Sequence, residues 1–313
     1  MEMTLTGKIV KGLGGLYLVR IPSQAGVRFL SCRAKGAFRH EDEKVMVGDE
    51  VRIRFDDAAP EETAVIRDIL PRKNALIRPP LSNLDLLFCV IAAVRPAPAL
   101  ETLDKLLAIA DHNGIEPVLV VTKADCDKAA AKRYADLYAA AHFTVFSLSG
   151  ASGEGTDALR AYIADRVREG RCAAFAGASG VGKSTLMNRL FPELHLATGD
   201  ISRRIERGKH TTRHVELFPV GDEADCGFLA DTPGFSMLDF MHFDFFSLDD
   251  LFDAFREFAP YRGLCRYPDC THTGEGPAEC AIARAVSEGE IAPSRHESYK
   301  TLYRVLKQKK NTY

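Results

Sequence analysis

One octapeptide constrains the fold of this chain more than any other stretch. Residues 177–184 read Gly-Ala-Ser-Gly-Val-Gly-Lys-Ser, which matches the P-loop pattern of a glycine-rich turn between a strand and a helix. The apolar run Cys172–Ala176 predicts the strand, and a helix is expected from Gly182. Glycines let consecutive backbone N–H groups turn towards a phosphate, and the positive end of the helix adds to the field. The octapeptide predicts a nucleotide site in an α/β domain; a purely structural glycine turn is the alternative.

P-loop chemistry gives a role to the two polar residues at the end of this octapeptide. Lys183 is expected to reach the β- and γ-phosphates, and the Ser184 hydroxyl is expected to be a Mg²⁺ ligand. The other residues predicted to contact the nucleotide here are Gly177, Ala178, Ser179, Gly180, Val181, Gly182 and Thr185.

A second phosphate element is predicted at residues 231–234, which read Asp-Thr-Pro-Gly after the apolar strand Gly227–Ala230. Asp231 is expected to hold Mg²⁺ through water, and the backbone N–H of Gly234 to meet the γ-phosphate. Four residues of this kind are weak alone, because acidic turns with Pro-Gly are common in loops. Together with the P-loop, they favour the functional interpretation.

A base-recognition element is predicted at residues 122–125, Thr-Lys-Ala-Asp, which end another apolar strand. The pattern resembles the N-K-x-D signature of GTPases, with Thr122 in place of Asn. A carboxylate at Asp125 can accept the N1 and N2 protons of guanine, whereas adenine would leave it unpaired. Lys123 is expected to lay its alkyl stem along the base. A plain loop with Lys and Asp is the alternative.

The order of these elements along the chain is unusual. Ordinary GTPases run from the P-loop through a switch I Thr and DxxG to N-K-x-D and a Ser-Ala loop. Here residues 122–125 and a candidate base loop at Ser147–Gly150 precede the P-loop, whereas His210-Thr-Thr212 and Asp231–Gly234 follow it. Domain termini often lie close together, so a circular permutation can keep the same site. The sequence predicts a circularly permuted GTPase domain.

The chain divides into three predicted domains, 1–71, 72–240 and 241–313. Short strands in the first predict an all-β barrel of the OB type, with a β-sandwich fragment as the alternative. Strand–helix alternation in the second predicts a doubly wound, mainly parallel sheet. Pro71–Asn74 and Ile77–Pro80 are predicted to form the linker between them. The expected strands are Thr4–Lys11, Gly15–Ile21, Val27–Arg33, one opening at Val47–Val51, Ala64–Leu70, Leu84–Val94, Pro117–Val121 and Phe143–Ser147, and the helices Leu100–Asn113, Lys128–Ala141 and Glu297–Lys310.

The third domain carries a candidate metal site. Of eight cysteines, only Cys265, Cys270 and Cys280 cluster, with His272 between them. Three thiolates and one imidazole are the donors of a closed tetrahedral zinc site, with buried free thiols as the alternative. His296 is expected to be a surface residue rather than a fifth ligand. An aromatic segment, 243–258, precedes the cluster and is expected to serve packing.

These motifs together resemble one family, the circularly permuted, ribosome-small-subunit-dependent GTPases (the RsgA family). The resemblance spans nearly the whole chain and includes Gly199–Ser202, Gly208–Thr212 and the Cys/His cluster. It implies GTP and GDP as ligands, Mg²⁺, one structural Zn²⁺, and the small ribosomal subunit with its rRNA as partner. It also implies that Ser149 and Gly150 belong to the base site. The chain departs from the family at Thr122, at Gly150 and at Arg213, which replaces a third Thr.

Catalysis is the point at which the motifs are least complete. Phe235 follows Gly234 where many GTPases carry a water-orienting Gln, and phenylalanine cannot hydrogen-bond to water. Slow intrinsic hydrolysis, stimulated by a partner, is therefore expected. His210 is a candidate for positioning water, or else a structural residue of the switch. Either Thr211 or Thr212 is the candidate switch I ligand of Mg²⁺.

The bulk composition is that of an ordinary soluble protein, and the singly scattered cysteines favour a reducing, cytoplasmic compartment over a disulfide framework. We expect a monomer. The net charge of −2 over 313 residues gives no global attraction to nucleic acid or lipid. No stretch approaches the roughly 20 apolar residues of a membrane span, and no signal peptide is apparent. Local basic groups could hold RNA, with a solvated surface as the alternative. They are Arg28, Arg33, Lys35 and Arg39 in the barrel and Lys300, Arg304, Lys307, Lys309 and Lys310 in the last helix.

The sequence is compatible with three functions. The first is a GTPase that acts as a switch on the maturing small ribosomal subunit. The second is an ATP-using kinase or ATPase, which Asp125 and the Asp231–Gly234 loop oppose. The third is a nucleic-acid-binding scaffold with a structural nucleotide site, which the intact Lys183, Ser184 and Asp231 oppose.

Overall fold

A computed structural model describes residues 2–23, 26–34, 44–56, 58–60, 64–77, 80–192, 215–222, 225–231 and 247–310. The chain forms two compact units. The first comprises residues 1–86, 159–175 and 193–235, and the second comprises residues 87–158, 176–192 and 236–313.

The N-terminal part of the first unit is a closed ring of five strands. Pairing runs β1–β2–β3–β5–β4 and returns from β4 to β1; only β3 and β5 are parallel. Alternate residues of β4, among them Val51, Ile53 and Phe55, are buried, as expected for strands that fill a barrel from one face. The strands are β1 (Glu2–Leu13), β2 (Leu16–Ser23), β3 (Gly26–Ala34), β4 (Glu50–Asp56) and β5 (Val65–Ile69).

The second stretch predicted to be a linker, Ile77–Pro80, falls within a paired element, in which β6 (Ala75–Ile77) runs antiparallel to β7 (Pro80–Ser82). The fully buried carboxylate of Asp49 explains why this segment is ordered. It accepts hydrogen bonds from Ser82 Oγ at 2.6 Å and from Arg72 Nε at 2.6 Å. Hydrogen-bonded partners of this kind offset the cost of burying a charge, and they fasten the paired element to the turn before β4.

The first unit also contains strands from the centre of the chain. They are β11 (Cys172–Gly177, of which the last two residues belong to the second unit), β12 (Glu216–Val220) and β13 (Gly227–Asp231). β11 and β13 are parallel, with Ala174 opposite Ala230, and β12 runs antiparallel to β13. β12 was not predicted from the sequence; Pro219 lies inside it, and proline argues against a strand except at edges and bulges.

The second unit carries the other strands of the central domain in the order β10–β9–β8, with β10 parallel to β9. All seven residues of β8 are buried, which agrees with a strand covered on both faces. The elements are β8 (Leu86–Ala92, whose first residue belongs to the first unit), α1 (Leu100–His112), β9 (Glu116–Thr122), α2 (Lys128–Ala140), β10 (Thr144–Ser147), the start of α3 (Thr156–Arg166, which from Leu159 belongs to the first unit) and α4 (Lys183–Leu190).

The C-terminal part of the second unit packs around aromatic side chains. Its elements are a 3₁₀ turn (Arg256–Tyr261), α5 (Ala281–Glu288) and α6 (Pro293–Lys310). Leu251, Phe255 and Phe258 are at most 1% exposed and lie in one apolar cluster with Tyr299. The packing role predicted for the aromatic segment holds for these described residues, whereas 243–246 lie outside them. No helix in the described part of the chain is long and apolar enough to cross a bilayer.

Candidate functional site

The P-loop residues connect the end of β11 to the start of α4. Gly180 and Gly182 have φ angles of 82° and 98°, a region that side-chain-bearing residues rarely adopt. A Cβ added at Gly177 would collide with the carbonyl oxygen of Val90 on β8. These three glycines are therefore required by backbone geometry, and Ser179 and Gly180 at the loop tip are exposed to solvent.

The Lys183 ammonium lies inside the P-loop. Its Nζ donates to the carbonyl oxygens of Gly177 at 2.6 Å and Ala178 at 3.0 Å. Burial lowers the pKa of Lys183 to about 8, because a desolvated ammonium loses the stabilisation that water gives its charge. An anionic ligand in the loop would restore that stabilisation, so this lysine is poised to pair with phosphate.

Thr122 joins the predicted base element to the P-loop. It is 2% exposed, and its Oγ1 lies 3.0 Å from the carbonyl oxygen of Ile91 and 2.5 Å from that of Val181. A hydroxyl has one proton to donate, so it serves one of these two acceptors at a time. The threonine that replaces Asn in the motif thus provides a bracing contact to the loop.

Lys123 makes the second connection between the same elements. It has a φ of 56°, and its Nζ donates to the carbonyl oxygens of Arg95 at 2.5 Å and Gly180 at 2.8 Å. The ammonium is therefore fixed between the loop that follows β8 and the tip of the P-loop. Its aliphatic stem is held in place beside the P-loop.

Asp125 is exposed, and its carboxylate accepts a hydrogen bond from the side chain of Ser149. The hydrogen bond that Ser149 donates is the main cause lowering the pKa of Asp125, since it favours the charged form. Ser149 is fully buried, and its Oγ accepts from the N–H of Ser152 at 3.1 Å. The carboxylate is thus kept ionised and directed into solvent, as an acceptor for paired donors should be.

Gly150 lies against α4. A Cβ added there would come within 3.3 Å of the Leu186 nitrogen, closer than such contacts usually are. Arg189 of the same helix donates to the carbonyl oxygens of Gly150 at 2.8 Å and Ala151 at 2.6 Å. The helix that begins at the P-loop therefore also holds the loop at Ser149 and Gly150. Arg189 was not predicted from the sequence, because its partners lie 38 and 39 residues away.

The remaining phosphate elements are described only in part. Ser184 lies in the first turn of α4, half-buried, and Thr185 beside it is exposed. Asp231 is the last residue of β13, opposite Glu216. His210, Thr211, Thr212, Gly234 and Phe235 lie outside the described residues, as do Gly199–Ser202 and Gly208–Thr212.

The Cys/His cluster is brought together in the C-terminal part of the second unit. The ligand atoms of Cys265, Cys270, His272 and Cys280 all lie within 4.8 Å of one another. Nδ1 of His272 is 3.4–3.5 Å from each of the three sulfurs. Zn–S bonds of about 2.3 Å and Zn–N bonds of about 2.0 Å place sulfur and nitrogen about 3.5 Å apart in a tetrahedron. The donor set and its spacing therefore fit a closed zinc site.

A second layer of polar contacts supports this cluster. His272 has a φ of 58°, and burial lowers its pKa, which favours the neutral imidazole that binds metal. His296 Nε2 lies 2.7 Å from the His272 carbonyl oxygen, and backbone N–H groups of Ala281 and Ala283 donate to the sulfurs of Cys265 and Cys280. The prediction of a surface His296 was wrong, since this residue is 6% exposed. It faces inward from α6.

Comparison with known proteins decides the family. A family model described as RsgA GTPase matches residues 69–241, and one described as RsgA N-terminal domain matches residues 6–61. The chain belongs to the RsgA GTPase family. It is 37% identical to the small ribosomal subunit biogenesis GTPase RsgA of Agathobacter rectalis over 97% of this chain and 98% of that protein. It is 38% identical to the protein of the same name from Carboxydothermus hydrogenoformans, over 95% of this chain and 96% of that protein.

Solved structures lead to the same fold. YjeQ from Thermotoga maritima superposes with a TM-score of 0.77 at 29% identity, covering 97% of this chain and 99% of that one. YloQ, described as a circularly permuted GTPase, superposes with a TM-score of 0.74 at 30% identity, covering 98% of this chain and 96% of that one. The predicted family, permuted GTPase fold and GTP-hydrolysing activity are therefore confirmed. The family also implies GTP, GDP and Mg²⁺ as ligands.

Proposed function

We propose that this GTPase is a nucleotide-controlled switch in late maturation of the small ribosomal subunit. It binds the subunit in the GTP form, is stimulated by it, and leaves after hydrolysis. The observation that carries the proposal is near full-length similarity to proteins named small ribosomal subunit biogenesis GTPase. GTP turnover with and without purified small subunits tests it; equal turnover in both would contradict it.

The nucleotide site of this proposal is built from the residues that the sequence motifs predict. Lys183 pairs with the β- and γ-phosphates, and the residues from Gly177 to Thr185 surround them. Ser184 and Asp231 hold Mg²⁺, and Gly234 meets the γ-phosphate. Thr211 or Thr212 completes the metal site, and His210 is the candidate for positioning water. Magnesium supplies charge neutralisation at the phosphates when bound.

Guanine recognition is assigned to the base element. Asp125, kept ionised by Ser149, accepts the two guanine donors, and Lys123 lies beside the base plane. Thr122 and Gly150 position the two loops against the P-loop and α4. This chemistry, together with family membership, disfavours the ATP-using and scaffold alternatives. Competition of ATP against labelled GTP measures the selectivity directly.

The barrel and α6 are proposed to contact the ribosomal RNA of the small subunit. Arg33 and Phe29 are exposed on β3, and exposed aromatic and basic groups together suit stacking and phosphate contacts. Arg304, Lys307 and Lys310 are exposed on α6, whereas Lys35 and Arg39 lie outside the described residues. The closed five-stranded ring supports the OB assignment, and the three-domain division 1–71, 72–240 and 241–313 is kept with it.

One structural Zn²⁺ is proposed at Cys265, Cys270, His272 and Cys280. Four protein ligands leave no open position for substrate, so the ion stabilises the fold and takes no part in hydrolysis. A cytoplasmic monomer is proposed as the working state. Metal analysis of purified protein and its mass in solution test these two points.

A further inference from the structure

The loop after β8 is tied to the tip of the P-loop. One ammonium, that of Lys123, bonds to the carbonyl oxygens of both Arg95 and Gly180. The ring of Pro96 also approaches Gly180, because a Cβ added there would lie 3.8 Å from Pro96 Cδ. The backbone at Arg95 therefore lies close to the backbone at Gly180, with the Lys123 ammonium between their carbonyl oxygens.

The Arg95 side chain has no assigned role. It is exposed, and among the described residues its guanidinium has no hydrogen-bond or ion-pair partner. Arginine is permanently charged and presents five N–H donors. The backbone that carries this side chain lies close to the phosphate-binding loop, since the carbonyl oxygens of Arg95 and Gly180 accept hydrogen bonds from the same Lys123 Nζ. An exposed arginine on a loop that is hydrogen-bonded to the P-loop tip has the charge and the donors of a phosphate-binding group.

We propose that Arg95 is a further catalytic residue, which contacts the γ-phosphate oxygens and the β–γ bridging oxygen of GTP and stabilises the transition state for hydrolysis. In that step, water forms a bond to the γ-phosphorus as the bond to the β–γ bridging oxygen breaks. GDP leaves with the electron pair of that bond, and the proton of the water passes to the phosphate product. The guanidinium neutralises charge that develops on the bridging and γ-oxygens, as arginines supplied in cis do in other GTPases.

The sequence gives a reason for such a group. Phe235, where a water-orienting Gln is common, cannot hydrogen-bond to the attacking water. Catalysis must then depend more on charge stabilisation, which is the larger contribution in phosphoryl transfer. The inference depends on the proposal that the P-loop at Gly177–Ser184 holds GTP, so its test must separate the two.

The experiment compares Arg95→Ala and Arg95→Lys with the wild-type protein and with Arg133→Ala. Arg133 is an exposed control on α2 whose guanidinium stacks on Tyr134. Single-turnover GTP hydrolysis is measured alongside the affinity for fluorescent mant-GDP, with and without aluminium fluoride. We expect Arg95→Ala to slow hydrolysis at least tenfold and to weaken the aluminium fluoride complex by a similar factor. Its mant-GDP affinity should stay within twofold of wild type, and Arg133→Ala should change neither quantity.

Chemical rescue of hydrolysis by added guanidinium separates a catalytic role of Arg95 from a purely structural one. Millimolar guanidinium should restore part of the rate of Arg95→Ala and none to Arg133→Ala. Arg95→Lys should retain more activity than Arg95→Ala, because it keeps a charge without the planar fork. Unchanged hydrolysis in Arg95→Ala, or a lower rate explained entirely by weaker mant-GDP binding, overturns the proposal. Failure of the wild-type protein to bind mant-GDP would instead remove the nucleotide site itself, and this inference with it.

Discussion

The hydroxyl of Thr122 lies 2.5 Å from the carbonyl oxygen of Val181, so the base element is hydrogen-bonded directly to the P-loop. Both groups are buried. This contact explains how the chain tolerates Thr where N-K-x-D carries Asn: the hydroxyl, like an amide, can donate to a P-loop carbonyl. Thr122 thereby couples the predicted base element to the P-loop, in addition to the bond from Lys123 to Gly180.

Replacing that hydroxyl should weaken both stability and nucleotide binding. Thr122→Val keeps the shape but removes the hydroxyl proton that a buried carbonyl oxygen, that of Val181 or of Ile91, accepts, and a buried acceptor left without its donor costs about 1–3 kcal/mol. Urea unfolding and mant-GDP titration measure the two effects. Thr144→Val, on an exposed position of β10, is the matched control. Full stability and affinity in Thr122→Val would show that the contact carries little energy.

Guanine selectivity should depend on Asp125. Asp125→Asn is expected to weaken GTP binding at least tenfold, because the amide presents a donor to the guanine N1–H. The same amide can donate to the extra oxygen of xanthine, so xanthosine triphosphate should begin to compete. Competition titrations with the two nucleotides check this. Asp136→Asn, on the exposed face of α2, should bind as wild type; unchanged GTP affinity in Asp125→Asn would remove this residue from the site.

The pKa of about 8 for Lys183 predicts a proton linkage. Bound phosphates favour the ammonium and raise its pKa, so nucleotide binding above pH 8 should take up a proton. GDP affinity should therefore fall by up to tenfold per pH unit above pH 8 and stay level below it. Calorimetry in buffers of different ionisation enthalpy measures the uptake. Lys183→Arg, which does not lose its proton, should show weaker but pH-independent binding between pH 7 and 9.

In the nucleotide-free protein, the stability contributed by Lys183 should rise with pH, whereas GDP affinity falls. Because the folded state lowers the pKa of Lys183, the unfolded chain binds more protons at this side chain between about pH 8 and the ordinary lysine value near 10.4. The contribution of Lys183 to the free energy of unfolding therefore rises with pH across that window. Comparing wild type with Lys183→Arg isolates the contribution.

Metal binding should be structural. Cys270→Ser is expected to release zinc and to lower the temperature at which the C-terminal part unfolds, while intrinsic GTP hydrolysis remains near the wild-type rate. Elemental analysis, calorimetry and a turnover assay check the three statements. Cys126→Ser, an exposed cysteine outside the cluster, should retain its metal. Loss of basal hydrolysis in folded, zinc-free protein would require a catalytic role for the ion.

The sequence could predict the contacts that motifs encode locally. The P-loop, its flanking strand and helix, and the Cys/His cluster each lie within a short stretch, so their patterns are sufficient. Contacts between distant stretches leave no such pattern: Arg189 with Gly150, and Lys123 with Arg95, depend on packing that only the fold provides. The inward position of His296 is not predictable for the same reason, since a polar residue on a charged helix shows no sign of burial in the sequence.

A buried charge network ties α1 to the C-terminal part and gives the last prediction. Arg295, 1% exposed, donates to Glu257 at 2.6 and 3.1 Å and to Asp104 at 2.8 Å. The Tyr138 hydroxyl donates to the same oxygen of Asp104 at 2.8 Å. Two carboxylates thus share one guanidinium, which also stacks on Phe255.

Arg295→Met keeps much of the volume but leaves both carboxylates buried without their cation. Breaking a buried ion pair from one side costs about 3–5 kcal/mol, so we expect a loss of that size in the free energy of unfolding. Arg284→Met, on the exposed face of α5, should change it by less than about 0.5 kcal/mol. If Arg295→Met also folds with native zinc content, the double variant with Glu257→Gln should recover part of the loss, because one uncompensated charge is removed. No loss in Arg295→Met would mean that the two carboxylates find protons or water at little cost.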